Sequence, residues 1–196
     1  MEALRLDGTS LTLAALSQAA SEALPVELAP AGLAAMAQSH ALVAQVIRDR
    51  VPVYGVTTGL GARAAEVLSA EALAEFSPQT LRGRAHAIGP EEDPRIIRAG
   101  LIVRLNTMLK GHSAARPEAA QHIAACLNAG LTPVVGQTGS IGAADLVLNA
   151  TAGLALIGEG RMRDAKGRIG PSADLMLAHG IEPLKLAPRD GLALAN

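Results

Sequence analysis

Hydrophobic positions return at helical spacing through much of the chain. Apolar residues recur every three or four positions over Ala31–Arg50 and over Pro94–Lys110. Pro117 is a second proline start signal, and a helix is predicted from there to about Asn128, followed by Gly130 as its C-cap signal. Little of the chain alternates with the period of a strand. The pattern therefore predicts a mainly α-helical protein with a few short strands.

Shorter helices are predicted near both ends of the chain and in its middle. Their predicted bounds are residues 11–24 with a cap at Thr9 or Ser10 and an end at Pro25, Ser69–Phe76, Leu146–Ile157, and a last helix within residues 188–196. Pro78 is expected to break the second of these, and the polar residues 82–94 are expected to form a loop. Residues 51–56 are expected to be extended, and turn signals predict a hairpin within residues 162–181.

Composition bounds the class of protein. With 196 residues, 49% of them hydrophobic, the chain can build one core, and we expect residues 1–196 to form a single domain. Its 17 basic and 18 acidic residues leave a net charge of −1, which argues against a partner with a nucleic-acid or anionic-membrane surface. The N-terminus lacks an apolar signal core, and no apolar run approaches the roughly 18 residues of a membrane helix. A soluble, cytoplasmic protein is expected.

Residue counts limit the chemistry further. Cys126 is the only cysteine, so an intrachain disulfide and a thiolate metal cluster are excluded. The five histidines have no ligand spacing, and we expect no metal site. One tyrosine (Tyr54), one phenylalanine (Phe76) and no tryptophan exclude a site of stacked aromatic side chains. Tyr54 is therefore a conspicuous residue.

A glycine-rich run, TGSIGAAD, precedes a predicted helix that begins near Ala143. Such a junction presents free backbone N–H groups and the positive end of a helix dipole. It is not a P-loop, because no Gly-Lys-Ser/Thr follows, and no strand-helix-strand pattern surrounds it as in a dinucleotide fingerprint. Taken alone, an anion-binding turn or a packing contact explains the run.

A second glycine-rich run, VYGVTTGLG, contains Tyr54. A phenol beside unhindered backbone can act as a general acid or base. The alternative is a tyrosine that anchors the loop through its ring and hydroxyl. Spacing within this run does not separate the two.

The two runs together resemble a known enzyme family. VYGVTTGLG is similar to the V-Y-G-x-x-T-G-x-G signature of the histidine and aromatic amino-acid ammonia-lyases. The stretch from RAGLIVRLNTMLKGHS through GSIGAADL to ALIGEG resembles the next part of that family, and the closing RDGLALAN matches its R-x-x-L-A-L-x-N. The resemblance extends from about Ala31 to Asn196, with the motifs in the family's order.

This resemblance implies the N-terminal active-site domain of the ammonia-lyase fold. In that family an Ala-Ser-Gly triad cyclises and dehydrates to 4-methylidene-imidazol-5-one, a self-formed electrophile, with no metal and no dissociable organic cofactor. Carried over by position, this group would stand at Ala143, Ala144 and Asp145. Tyr54 would be the base that removes a proton from the β-carbon of an amino-acid substrate, and Asn196 would help to hold the prosthetic group.

The chain departs from the family at the triad. The family has G-S-x-G-A-S-G-D-L, whereas this sequence has GSIGAADL, one residue shorter and without the serine that dehydrates. Ala144 has no hydroxyl to lose. A divergent relative, a replaced serine, or an altered residue written as alanine would each account for the difference.

A second departure concerns the substrate. The resemblance implies substrate contacts from Gly61 and from the family's selectivity pair, which is occupied here by Gly83 and Arg84. A guanidinium is a poor floor for a phenyl ring and a good partner for a carboxylate or another acceptor. The alternative is a solvated loop arginine, because Arg82 lies just across the same glycine.

The family also continues beyond the final asparagine into a long helical bundle that supplies further active-site residues, some from neighbouring subunits. We therefore expect either a fragment or a chain completed by a second polypeptide, in a homo-oligomer that is a tetramer by resemblance. The implied activity is an ammonia-lyase, or an aminomutase, that acts on an amino acid and forms an α,β-unsaturated acid. The alternative is a non-catalytic homologue that serves as an assembly subunit.

Overall fold

The computed structural model describes residues 2–140 and 146–196, and most of their regular structure is helical. The helices are α1 Leu13–Ser21, α2 Pro30–Arg48, α3 Ala70–Arg82, α4 Pro94–Met108, α5 Pro117–Asn128, α6 Leu146–Leu156, α7 Ser172–Leu177 and α8 Asp190–Ala195. The strands are β1 Leu4–Leu6, β2 Val26–Leu28, β3 Ile88–Glu91, β4 Thr132–Pro133, β5 Gly136–Thr138, β6 Arg161–Arg163 and β7 Ile169–Pro171. The predicted mainly α fold is confirmed.

The strands form three small sheets rather than one large one. β1 pairs with β2 in parallel, β3 pairs with β5 antiparallel, and β4, β6 and β7 form an antiparallel sheet. The last pair, β6 and β7, is the hairpin predicted from the turn signals. Within residues 2–140 and 146–196, no helix is long and apolar enough to cross a membrane.

Two of the longest helices follow the predicted bounds to within two residues. The start of the chain does not, because the predicted cap at Thr9 or Ser10 is wrong. The N–H groups of both residues donate to Asp7 Oδ1, each at 2.8 Å, which closes a turn instead. Thr12 is the cap, and its hydroxyl accepts the N–H of Ala15 at 3.2 Å.

The predicted break at Pro78 is also wrong, because α3 continues through the proline to Arg82. Ser77, Thr80 and Leu81 on this half of the helix are buried, and Ser77 Oγ donates to Ala187 O at 2.6 Å. Packing against α6 and α8 stabilises the second half of the helix and outweighs the hydrogen bond that proline removes.

The predicted loop over residues 82–94 is wrong in part. It contains the last residue of α3 and also strand β3, in which all four residues are exposed. An exposed strand carries no alternating apolar signal, and β3 exists because β5, more than 40 residues later, supplies its partner. Residues 51–53 have no regular structure and Tyr54 forms an isolated bridge, but the chain turns at residues 55–57, so the expected extended segment does not reach Val56.

The core lies between the helices and is built from aliphatic side chains. Its largest fully buried members are Leu6, Met36, Leu81, Ile102, Leu105, Met108, Leu109, Ile123, Leu127, Leu131, Leu156 and Met162. One cation is buried with them. Arg98, on α4, is 4% exposed and donates to Ala19 O at 3.2 Å, to Leu127 O at 2.9 Å and to Leu24 O. Its guanidinium thus supplies donors to carbonyls near the C-terminal ends of α1 and α5.

We expect Arg98→Met to lower the free energy of unfolding by about 3 kcal/mol, because three carbonyl groups lose a buried donor. Urea denaturation followed by circular dichroism measures the change. The matched control is Arg95→Met on the same helix, whose exposed ion pair with Asp93 should contribute less than about 1 kcal/mol. Equal losses in the two variants would contradict the role given to Arg98.

Candidate active site

The loop that carries Tyr54 is a tight turn with its own internal bracing. The N–H groups of Val56 and Thr57 both point to Val53 O, each at 3.0 Å. Thr57 is 4% exposed, and its hydroxyl donates to Val51 O and accepts the N–H of Val53 at 2.8 Å. The loop therefore has a fixed shape from which the Tyr54 side chain, 57% exposed, projects into solvent.

Two of the predicted site residues meet in this loop. The backbone N–H of Gly61 donates to the Tyr54 hydroxyl oxygen at 3.2 Å. Gly61 has φ +56°, a left-handed conformation that glycine adopts at little cost, and it begins a single 3₁₀ turn, Gly61–Arg63. A backbone N–H aimed at a phenol oxygen stabilises negative charge on that oxygen. This geometry places a hydrogen-bond donor against the hydroxyl oxygen of Tyr54.

Gly55 fixes where the Tyr54 loop sits on the rest of the fold. Its φ is +66°, and a Cβ at this position would lie 2.7 Å from Leu192 Cδ2 and 3.5 Å from an Nη of Arg189. The loop thus packs directly on α8. Asn196, also a predicted site residue, caps the far end of α8, where its N–H donates to Leu192 O at 3.1 Å and its side chain is exposed.

A buried carboxylate anchors the start of α8. Asp190 is 0% exposed, and its two oxygens accept the N–H of Arg116 at 3.0 Å, the N–H of Ala187 at 2.9 Å and Arg116 Nε at 2.8 Å. Arg189, which precedes it, has φ +81° and donates through Nε to Ser113 O at 2.9 Å. Burial lowers the pKa of Arg189.

Arg84 lies just after α3 and lines a cavity of about 340 Å³. Gly59, Leu60 and Arg63 from the tyrosine loop line the same cavity, as does Phe76 from α3. Arg84 Nη1 donates to Thr80 O at 3.1 Å. No carboxylate of residues 2–140 or 146–196 forms an ion pair with Arg84, whereas Arg63 is paired with Glu66 at 2.7 Å.

Gly83 and residues 143–145 are the predicted site residues that remain. Gly83 caps the C-terminus of α3 and is not among the residues that line this cavity. Ala143, Ala144 and Asp145 lie outside the described residues, as does the predicted helix start near Ala143.

The described ends of the glycine-rich segment pack beside residues that follow Arg84. A Cβ on Gly139 would lie 2.5 Å from Val147 Cγ1 and 3.5 Å from Ala87 Cα. The N–H of Ala87 donates to Thr151 Oγ1 at 3.3 Å. Ala87 thus lies beside Gly139 on one side and is hydrogen-bonded to α6 on the other.

Sequence reasoning missed the buried carboxylate of Asp190, its partly exposed partner Arg116 and the bracing role of Thr57. Asp190 stands inside the RDGLALAN motif, so a signal was present, but only burial distinguishes it from a solvated helix-terminal acid. Among the described residues, no group of three His, Cys, Asp or Glu side chains is arranged to hold a metal ion. Burial raises the pKa of the Cys126 thiol to about 12, which keeps it protonated and unreactive.

The chain is similar in sequence to a known protein family. The model of the aromatic amino acid lyase family matches residues 11–196. Histidine ammonia-lyase of Streptomyces griseus is 40% identical over 172 residues, which are 87% of this chain and 34% of that protein. The chain thus spans about a third of the length of the curated relatives it matches.

Solved structures agree with the family match. Tyrosine aminomutase of Streptomyces globisporus is 32% identical, with a TM-score of 0.92 over 99% of this chain and 36% of that one. The ergothioneine-degrading enzyme ergothionase of Treponema denticola, solved with desmethyl-ergothioneine sulfonic acid, is 28% identical, with a TM-score of 0.94 over 99% and 39%. Together with the loop that holds Tyr54 and the α8 motif packed against it, these matches show that the chain belongs to the aromatic amino acid lyase family.

Proposed function

We propose that the protein containing this chain is a carbon–nitrogen lyase that eliminates the amine of an α-amino acid to give an α,β-unsaturated acid. The observation that carries this proposal is the exposed Tyr54 hydroxyl with the Gly61 N–H directed at its oxygen. Histidine ammonia-lyases are among its relatives, and so is a tyrosine 2,3-aminomutase, so return of the amine to the neighbouring carbon is a variant of the same chemistry.

Tyr54 acts as the general base in this proposal. Its oxygen takes the proton from the substrate β-carbon, the C–H electrons form the double bond to the α-carbon, and the C–N pair leaves with the nitrogen. The Gly61 N–H donates to the oxygen that takes up the proton, and the braced loop holds that oxygen in one position. Asn196, at the end of α8, belongs to the same site by its place in the family motif.

The family's prosthetic group does not fit the residues present. Its methylidene carbon derives from a serine side chain, and Ala144 has only a methyl group at the corresponding position of the Ala143-Ala144-Asp145 segment. The step above is therefore not routed through that group, and the protein of this sequence must lower the barrier to C–N cleavage in another way.

The missing hydroxyl supports a second candidate, elimination from an amino acid whose nitrogen is fully alkylated. A primary α-ammonium group loses an N–H proton to a base far more readily than a β-carbon loses its proton, and it then carries no good leaving group. A quaternary nitrogen has no N–H, so the base can remove only a carbon-bound proton. The likeness to a protein described as ergothioneine-degrading supports a substrate other than a free amino acid.

Arg84 is proposed to bind the substrate side chain. Because it is unpaired among the described residues and lines a cavity beside the tyrosine loop, its guanidinium is available to a carboxylate or another strong acceptor. Gly83 beside it adds no side-chain volume. Gly61 contributes through its hydrogen bond to Tyr54 rather than by lining this cavity.

We also infer that residues 1–196 form one domain, since side chains from Leu6 to Ala195 share a hydrophobic cluster. The site is proposed to be completed by further polypeptide, in the same chain or in another, within a homo-oligomer. Ile96 and Val103 on α4 are 58% and 44% exposed, which supports such cover. A cytoplasmic location is proposed with it.

The first test of the base is Tyr54→Phe, which removes only the hydroxyl. We expect lyase activity of the complete protein to fall by at least about 10²-fold, because general-base catalysis contributes about that much or more, with an unchanged circular dichroism spectrum. Gly61→Ala, which strains a left-handed backbone while keeping the phenol, should give an intermediate loss. Activity near the wild-type level in Tyr54→Phe would make the tyrosine a structural residue.

The second test concerns selectivity. Arg84→Leu should lower kcat/KM on an acidic amino-acid substrate. The loss corresponds to roughly 2–5 kcal/mol of transition-state stabilisation if the charge pair is buried in the complex, and preference should shift towards aromatic side chains. Arg63→Leu is the matched control, since Arg63 lines the same cavity but is neutralised by Glu66. Unchanged selectivity in Arg84→Leu would mean that the arginine is solvated.

The third test asks which leaving group the protein accepts. The second candidate predicts an intact mass without loss of water, no methylidene-imidazolone absorbance, and release of trimethylamine from N,N,N-trimethyl derivatives of glutamate, histidine or phenylalanine, with no ammonia from the free amino acids. The low aromatic content of the chain makes the absorbance measurement sensitive.

Ammonia release from a free amino acid would overturn the second candidate and leave the lyase proposal standing. No release from either set would overturn both and favour the non-catalytic assembly subunit.

A further inference from the structure

We propose that Asp190, together with Arg116, is a positioning residue of the active site: it sets the location of α8, on which both the Tyr54 loop and Asn196 depend. The inference rests on the proposed role of Tyr54 in catalysis. Neither Asp190 nor Arg116 needs to touch a substrate for this role.

The oxygens of the Asp190 carboxylate accept three hydrogen bonds. The carboxylate is fully buried, and it accepts two backbone N–H groups, from Arg116 and Ala187, and the Nε of Arg116. The same arginine donates through Nη2 to Lys185 O. One side chain thus joins the start of α5 to the start of α8, 74 residues apart.

The second step leads from Asp190 to Tyr54. Leu192 is two residues further along α8. Its Cδ2 lies only 2.7 Å from the position that a Cβ on Gly55 would take, and Arg189 flanks the same glycine. Gly55 follows Tyr54 directly and is held at φ +66°. Any displacement of α8 therefore moves the backbone that carries the phenol.

The third step shows why α8 occupies a single position. A Cβ on Gly191 would lie 2.2 Å from Ser77 O, so α8 and α3 approach each other with no room for a side chain. Ser77 Oγ also donates to Ala187 O at 2.6 Å. With α3 on one side and Arg116 on the other, the helix is fixed at its N-terminal end while Asn196 extends from its other end.

The test compares two carboxylates of matching chemistry. Asp164 also accepts two backbone N–H groups, from Lys166 and Arg168, and the Nε of an arginine, but it lies in the β6–β7 hairpin. Asp190→Asn and Asp164→Asn therefore remove the same charge from similar networks. Only the first network contacts α8.

The readout is the ring signal of Tyr54 in protein labelled with 13C at tyrosine, assigned as the signal that is absent from Tyr54→Phe. We expect Asp190→Asn to shift or split this signal, and Asp164→Asn to leave it unchanged. In the complete enzyme kcat should fall by up to about 10²-fold in Asp190→Asn, with a smaller change in KM, as expected for a displaced catalytic group.

An unchanged Tyr54 signal in folded Asp190→Asn would overturn the proposal, and so would equal shifts in both variants. If Asp190→Asn does not fold, Leu192→Ala removes the contact with Gly55 and leaves the carboxylate in place; the Tyr54 signal should then shift, and no shift would again overturn the proposal. Failure of the lyase proposal would appear instead as no amine release by the wild-type protein, and failure of the base assignment as activity retained in Tyr54→Phe; neither result affects the ring signal.

Discussion

The hydrogen bonds to the Asp190 carboxylate join the start of α5 to the start of α8, which are 74 residues apart in the chain. A buried charge is stable only when its oxygens have donors, and Asp190 obtains three from Arg116 and Ala187. These bonds fix the short helix α8, which by itself has too few residues to be stable. Because the Tyr54 loop packs on α8, the geometry of the site depends on this carboxylate.

Glycine makes the site compact. Gly55 and Gly61 both adopt left-handed φ values, and Gly191 allows α8 to approach Ser77 O without a side chain between them. These positions let backbone N–H groups and a tyrosine hydroxyl meet without steric strain. The result is a catalytic loop whose shape is set by backbone contacts and by the buried hydroxyl of Thr57 rather than by large side chains.

Of the two glycine-rich runs, only the one that carries Tyr54 keeps the family's reactive side chain. The loop keeps the tyrosine and the N–H group directed at its oxygen, while the glycine-rich run TGSIGAAD lacks the side chain from which the family's electrophile forms. A base without an electrophile can still promote elimination when the leaving group carries a permanent positive charge. Arg84, which has no ion-pair partner among the described residues, lines the cavity beside the tyrosine loop and is proposed to select the rest of the substrate.

The sequence by itself determined the helical class, the bounds of the long helices, the position of Tyr54 within a family motif and the absence of a hydroxyl at Ala144. Helical periodicity, proline start signals and motif spacing are local properties, so α5, Pro117–Asn128, could be predicted to the residue. The family resemblance found Tyr54 in the same local way.

Only the tertiary structure decided whether α3 passes through Pro78, whether β3 pairs, and that Asp190 is buried rather than solvated. The hydrogen bond from Ser77 to Ala187 spans 110 positions in the chain, and that from Arg116 to Asp190 spans 74. Burial and hydrogen bonding at such separations arise from packing between elements, which no window of neighbouring residues encodes.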